Sequence, residues 1–131
     1  MGGRGASSGF YKLNGRGNVY GDEFESVMHP LGNVKIVASR YGGSRRAPRE
    51  SMTPGRIYAT VDRKTGQLHS LSYIGSDGKR YKQVDVEDHK GMGPHAHDGY
   101  NHGGDARKLS PNERRTLAIV RGYIRSRGGI G

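Results

Sequence analysis

Cysteine and tryptophan are absent from this chain of 131 residues, phenylalanine occurs only twice, and no apolar run reaches the roughly 18 residues of a membrane span. Without cysteine there is no disulfide, no thiolate zinc site and no cysteine nucleophile. The same absence leaves the compartment open, because such a chain tolerates reducing and oxidising surroundings alike. The N-terminus lacks the apolar region of a secretory signal, so neither a signal peptide nor membrane insertion is expected. Apolar residues are scarce at 31%, and glycine fills 23 positions. Burial on that scale offsets the backbone entropy of one domain of about 70–90 residues, not of the whole chain. The expected organisation is a flexible basic arm over 1–32, a single domain over 33–127 and a disordered tail over 128–131.

Acidic charge is the next shortage. Twelve Asp and Glu face 22 Lys and Arg, for a net charge of +10 and a pI near 10.2. Such a surface attracts polyanions, so RNA or another polyanion is the expected partner class. The plainer explanation is solubility, since charge alone does not fix function. The opening "MGGRGASSGFYKLNGRG" repeats Gly-Arg-Gly, but no strand precedes it, and Gly3, Gly5 and Gly9 miss the dinucleotide fingerprint. It suits a flexible segment with weak RNA affinity.

Periodicity locates the structured part. The β-branched run in "NVKIVASRY" (33–41) predicts a first strand, and "GGSRRAPRESMTPG" (42–55) a loop. In "RIYATVD", Ile57, Ala59 and Val61 share one face, while Tyr58, Thr60 and Asp62 take the other. "LHSLSYI" (68–74) puts Leu71 and Tyr73 on the face of His69. Asp77-Gly78 is a hairpin signal, because both residues tolerate positive φ. "RYKQVDVED" (80–88) alternates Val84 and Val86 against Tyr81, Gln83, Asp85 and Glu87. Tyr58, Tyr73 and Tyr81 suggest a cross-strand aromatic ladder. In "LSPNERRTLAIVRGYIRSRGG", Ser110 is an N-cap, Pro111 suits the first helical position and Glu113 completes a capping box. Leu117, Val120 and Ile124 recur at helical spacing, and Gly128-Gly129 stops the helix. The predicted fold is α+β: a small antiparallel meander of three to four strands packed by a C-terminal helix.

Between sheet and helix lies "DHKGMGPHAHDGYNH" (88–102), with four of the six histidines. Its glycines and proline make it a poor helix and a poor strand. In an extended segment, His95 and His97 point the same way. Metal-free RNA cleavage needs a base, an acid and a cation for the phosphate, and histidine serves as base or acid near neutral pH. On that reading His95, His97, Tyr100 and Arg114 are catalytic candidates, and Arg80, Lys82, Arg121 and Arg125 bind nucleic acid. A second reading is a metal site, zinc foremost, drawn from Asp85, His89, His95, His97 and His102, although the spacing matches no strong zinc pattern. Asp85 and Glu87 could also hold a cation or orient a histidine tautomer. A third reading is an ordinary polar loop. The residues leave all three open.

"GRIYATVD", then "GKRYKQVDVEDHKGMGPHAHDGY", then "LSPNERR" leading into a helix resemble small prophage-encoded proteins, which also occur as C-terminal domains of toxin-like bacterial proteins. The resemblance covers 55–125 well and 18–54 loosely. Its specific part runs from Lys82 to Asp85 and from Pro94 through His95, His97 and Gly99 to Tyr100. The organisation is similar to ribonuclease toxins of the barnase, EndoU, colicin and RelE type, an analogy at the level of fold. The resemblance implies a metal-independent endoribonuclease acting in the cytoplasm as a monomer, with export or carriage in a phage particle before delivery. It also implies an acidic immunity protein as partner. The alternative is a phage accessory or structural protein that binds nucleic acid without chemistry and uses the histidines as a zinc staple.

Overall fold

The computed structural model describes residues 24–39, 47–49, 51, 53–87, 91, 93–100 and 106–127. Its strands are β1 (Phe24–Ser26), β2 (Val34–Ser39), β3 (Ile57–Val61), β4 (Leu68–Ile74), β5 (Arg80–Asp85), β6 (His95–Asp98) and β7 (Arg107–Lys108), followed by helix α1 (Pro111–Ser126). The strands form one sheet in sequential order. Only β2 and β3 pair in parallel; every other pair is antiparallel. The fold is α+β, as expected, but with seven strands among the described residues in place of a three- to four-stranded meander. β1 lies inside the stretch assigned to a flexible arm, and β6 runs through the stretch judged a poor strand. Residues 1–23 and 128–131 lie outside the described residues. No helix among the described residues is long and apolar enough to cross a membrane.

The turns follow from local chemistry. After β3, Asp62 Oδ1 accepts the Lys64 amide at 2.8 Å and the Gly66 amide bonds back to the Asp62 carbonyl at 2.7 Å. After β4, Asp77 Oδ1 accepts the Lys79 amide at 2.9 Å, and Gly78 adopts φ +81°, a value that side-chain-bearing residues rarely take.

The sheet has two unlike faces. On one, Val34, Ile36, Ala59, Val61, Leu71, Tyr73, Val84 and Ala96 pack with Leu117, Val120 and Ile124 of α1. Each Val, Leu or Ile among them contributes about 1.5–3 kcal/mol on full burial. The other face begins with an apolar cluster of Phe24, Val37, Tyr58 and Ile74. It continues in buried polar residues: Thr60, Ser70, Ser72, Arg80, Gln83, Asp85, His95 and His97. Tyr58 therefore does not join an aromatic ladder with Tyr73 and Tyr81, which contact each other edge-on at 6.2 Å.

A register shift decides which cation goes to which face. Tyr73 pairs with Lys82 and Ile74 with Arg80, which leaves Tyr81 as the extra residue of a bulge. Simple alternation would put Arg80 and Lys82 together. The bulge sends Arg80 to the polar face and Lys82 to the helix side.

At the helix side the capping box forms as predicted: Ser110 Oγ accepts the Glu113 amide and Glu113 Oε1 accepts the Ser110 amide. Glu113 is buried, and its carboxylate also meets Lys82 Nζ at 2.8 Å and both Arg107 Nη atoms at 2.8–2.9 Å. The Arg107 hydrogen bonds, followed by those of Lys82 and the Ser110 amide, hold its carboxyl far below the ordinary 4.5 and outweigh burial. A depressed folded pKa contributes stability that is complete above the unfolded carboxylate range and is lost as pH falls below it. Glu113→Gln is expected to lower stability at pH 7 by about 1–3 kcal/mol, because it removes the buried carboxylate that Lys82 and Arg107 share. Denaturant unfolding from pH 7 to pH 3 should show a smaller loss in this variant than in the parent. Equal pH dependence in the two proteins would contradict this assignment.

Candidate functional site

The register of β3 to β6 lays the polar face out in two rows. Thr60 pairs with Ser70, Ser70 with Asp85 and Asp85 with His95. Beside them Tyr58 pairs with Ser72, Ser72 with Gln83 and Gln83 with His97. Directly opposed residues share a face, so Asp85, His95 and His97 are brought together by backbone pairing alone. They are only 8%, 4% and 7% exposed, so the cluster lies within the protein.

The orientation of each group can be read from its neighbours. His95 Nδ1 lies 2.9 Å from the Gly93 carbonyl oxygen. A carbonyl only accepts, so Nδ1 carries a proton, and in a neutral ring Nε2 then carries a lone pair. Nε2 faces Asp85 Oδ2 at 3.6 Å, and His97 Nε2 faces the same oxygen at 3.6 Å. The two rings stand edge-on with centroids 5.0 Å apart. The other carboxylate oxygen, Oδ1, accepts from Gln83 Nε2 at 2.7 Å. Gln83 is oriented by Arg80 Nη1, which donates to Gln83 Oε1, and Arg80 Nη2 donates to the Tyr100 carbonyl at 2.8 Å.

These contacts set a chemical condition. A carboxylate oxygen and the lone pair of His95 Nε2 repel each other unless a cation separates them, either a proton on the ring or a metal ion. The 3.6 Å separations exceed a hydrogen bond. They lie close to the roughly 3.3 Å edge of a tetrahedron of nitrogen and oxygen ligands about 2.0–2.1 Å from zinc. The three donor atoms all lie within 4.8 Å of one another. The carbonyl behind His95 and the amide behind Asp85 are the partners that fix metal ligands from outside.

Of the expected site residues, Asp85, His95 and His97 converge. Tyr100 sits apart from the imidazoles, with its ring 5.2 Å from the Arg49 guanidinium and 5.9 Å from Lys79 Nζ. Arg114 is exposed on α1 and lines a cleft with Pro94, Leu109 and Leu117. Since α1 packs on the apolar face, Arg114 is on the side of the sheet away from His95 and His97. Lys82 is engaged by Glu113. Arg121 and Arg125 border a cavity of about 270 Å³ beside Gly66, again on the helix side. Arg80 is on the site's face, but as a 4% exposed orienting residue. Glu87 is exposed beyond the end of β5. His89 and His102 lie outside the described residues. Gln83, the Gly93 carbonyl and Arg49 were missed by sequence reasoning. Only Gln83 left a signal there, through its alternation with Asp85 in "KQVDV".

The geometry fixes one tautomer. In metal-stripped protein at alkaline pH, with the ring neutral, nitrogen-15 NMR of His95 is expected to show the proton on Nδ1. A proton on Nε2 would contradict the carbonyl-held orientation.

Comparison of the chain with protein-family profiles finds no match. Neither do comparisons with curated proteins and with solved structures.

Proposed function

We propose that this is a nucleic-acid-directed metalloprotein whose Asp85, His95 and His97 bind a divalent ion, zinc foremost, for phosphodiester hydrolysis. One observation carries the reading: a single carboxylate oxygen faces two imidazole Nε2 atoms at 3.6 Å, with one ring held as the Nδ1–H tautomer. Two histidines and a carboxylate match the donor preference of zinc, and three protein ligands leave a position for water. An ion held there supplies Lewis acidity and lowers the pKa of bound water. The chain's own groups supply the rest. Gln83 and Arg80 hold the carboxylate, the Gly93 carbonyl holds His95, and the net charge of +10 favours RNA over neutral substrates. The resemblance to prophage-encoded toxin domains supports RNA as the substrate.

A metal-independent ribonuclease remains a second reading, favoured by the two rings lying 5.0 Å apart on one face with Arg80. In that case Asp85 is the partner of an imidazolium, not a ligand.

The untagged protein is expected to carry about one zinc per chain, with His97→Ala lowering the affinity by at least tenfold. Total tRNA is expected to be cut by the zinc-loaded parent, and EDTA should abolish cleavage. Cleavage that survives EDTA but is lost in His97→Ala would replace the metal reading with the acid/base one. Stoichiometric zinc with no cleavage would reduce the centre to a structural staple, with His89 and His102 the first residues to test as a fourth ligand.

A further inference from the structure

Beside the Asp85–His95–His97 centre lies a second set of charges, linked to it where Arg80 orients Gln83. Arg80 spends its two Nη groups on Gln83 Oε1 and the Tyr100 carbonyl. Its Nε–H is buried and meets no acceptor. Arg49 lies alongside: the Arg80 amide donates to the Arg49 carbonyl at 2.8 Å. The Arg49 Nε–H is likewise buried without an acceptor. Lys79 completes the group, its Nζ 5.9 Å from the Tyr100 ring. Among the described residues no carboxylate forms an ion pair with Arg49, Lys79 or Arg80.

Such a group is costly as it stands. Burial, and then the like charge of Arg49, pull the Arg80 pKa down to about 10, against the opposing charge of Asp85. Two like-charged guanidinium groups, each with an unspent Nε–H, are what an anion relieves. Two cations on the helix side differ: Arg107 and Lys82 are satisfied by Glu113, and Arg107 also by Asp98.

We propose that Arg49, Lys79 and Arg80, gathered round Tyr100, form a subsite for a phosphate group of the nucleic-acid ligand. Exposed Lys79 is the point charge at its rim, and behind it Arg49 and Arg80 supply positive charge and two unspent Nε–H donors. Gly99, at φ +104°, follows β6 and leads into the half-buried Tyr100, whose ring lies 5.2 Å from the Arg49 guanidinium and 5.9 Å from exposed Lys79. Through Gln83 the subsite adjoins Asp85, which places a bound phosphate beside the proposed metal centre. The proposal rests on the nucleic-acid reading but not on the metal.

Arginine Nε–H signals of the full chain, labelled with nitrogen-15, test it directly. Inorganic phosphate is titrated at constant ionic strength against a chloride reference. The Arg49 and Arg80 Nε–H signals are expected to shift saturably with phosphate, and Arg49→Gln to weaken binding about tenfold. Lys79→Gln, an exposed change that leaves the fold intact, should weaken it by a smaller factor. Shifts no larger than with chloride, or unchanged affinity in Arg49→Gln, would overturn the subsite. Repeating the titration after EDTA treatment separates the two claims: phosphate binding that persists without zinc upholds the subsite whatever the fate of the metal centre. Short single-stranded RNA and DNA form the remaining arms. The same shifts with either confirm a phosphodiester backbone as the ligand, and shifts with inorganic phosphate alone refute that source.

Discussion

The register between β5 and β6 is the constraint on which the candidate site depends. Asp85 opposes His95 and Gln83 opposes His97, so the convergence of three polar groups is a consequence of main-chain pairing. A slip by one residue would turn both histidines into the apolar face and Ala96 out of it. The apolar side prevents that slip. Val84 and Ala96 pack beneath α1 together with Leu71, Leu117 and Val120. The hydrophobic face thus specifies the geometry of the polar one.

The same pairing places groups that are unfavourable in isolation. Thr60, Ser70 and Ser72 carry buried hydroxyl oxygens with no hydrogen-bond partner, in the rows that lead to Asp85 and Gln83. Arg49 and Arg80 each carry a buried Nε–H with no acceptor. Each of these costs free energy unless it meets a complement. Across the sheet, the Glu113 cluster shows a satisfied arrangement, in which one carboxylate serves two cations and a helix cap. Among the described residues, the buried hydroxyls without partners thus lie in the same rows as the Asp85–His95–His97 cluster.

The elements legible in the sequence were those with strong local signals. Ser110, Pro111 and Glu113 announced the helix start, and Leu117, Val120 and Ile124 its buried stripe. Ile57, Ala59 and Val61 announced the inner face of β3. β6 was hidden because "PHAHD" offers no β-branched residue, and its pairing with β5 and β7 supplies what propensity does not. The bulge at Tyr81 was equally invisible, since it depends on β4, and it separated Arg80 from Lys82. At the site, His95, His97 and Asp85 were all named, two as catalysts or ligands and one as a ligand. What the sequence could not convey is their common point of approach. Arg114 looked catalytic by charge, but helix packing carried it to the opposite side.

The central claim is that one ion sits between Asp85, His95 and His97. X-ray absorption at the zinc edge of the loaded, untagged protein tests this most directly. The account predicts a first shell of nitrogen and oxygen at about 2.0–2.1 Å with outer-shell scattering from two imidazoles, falling to one in His97→Ala. A shell of oxygen atoms alone, with no imidazole scattering, would contradict it.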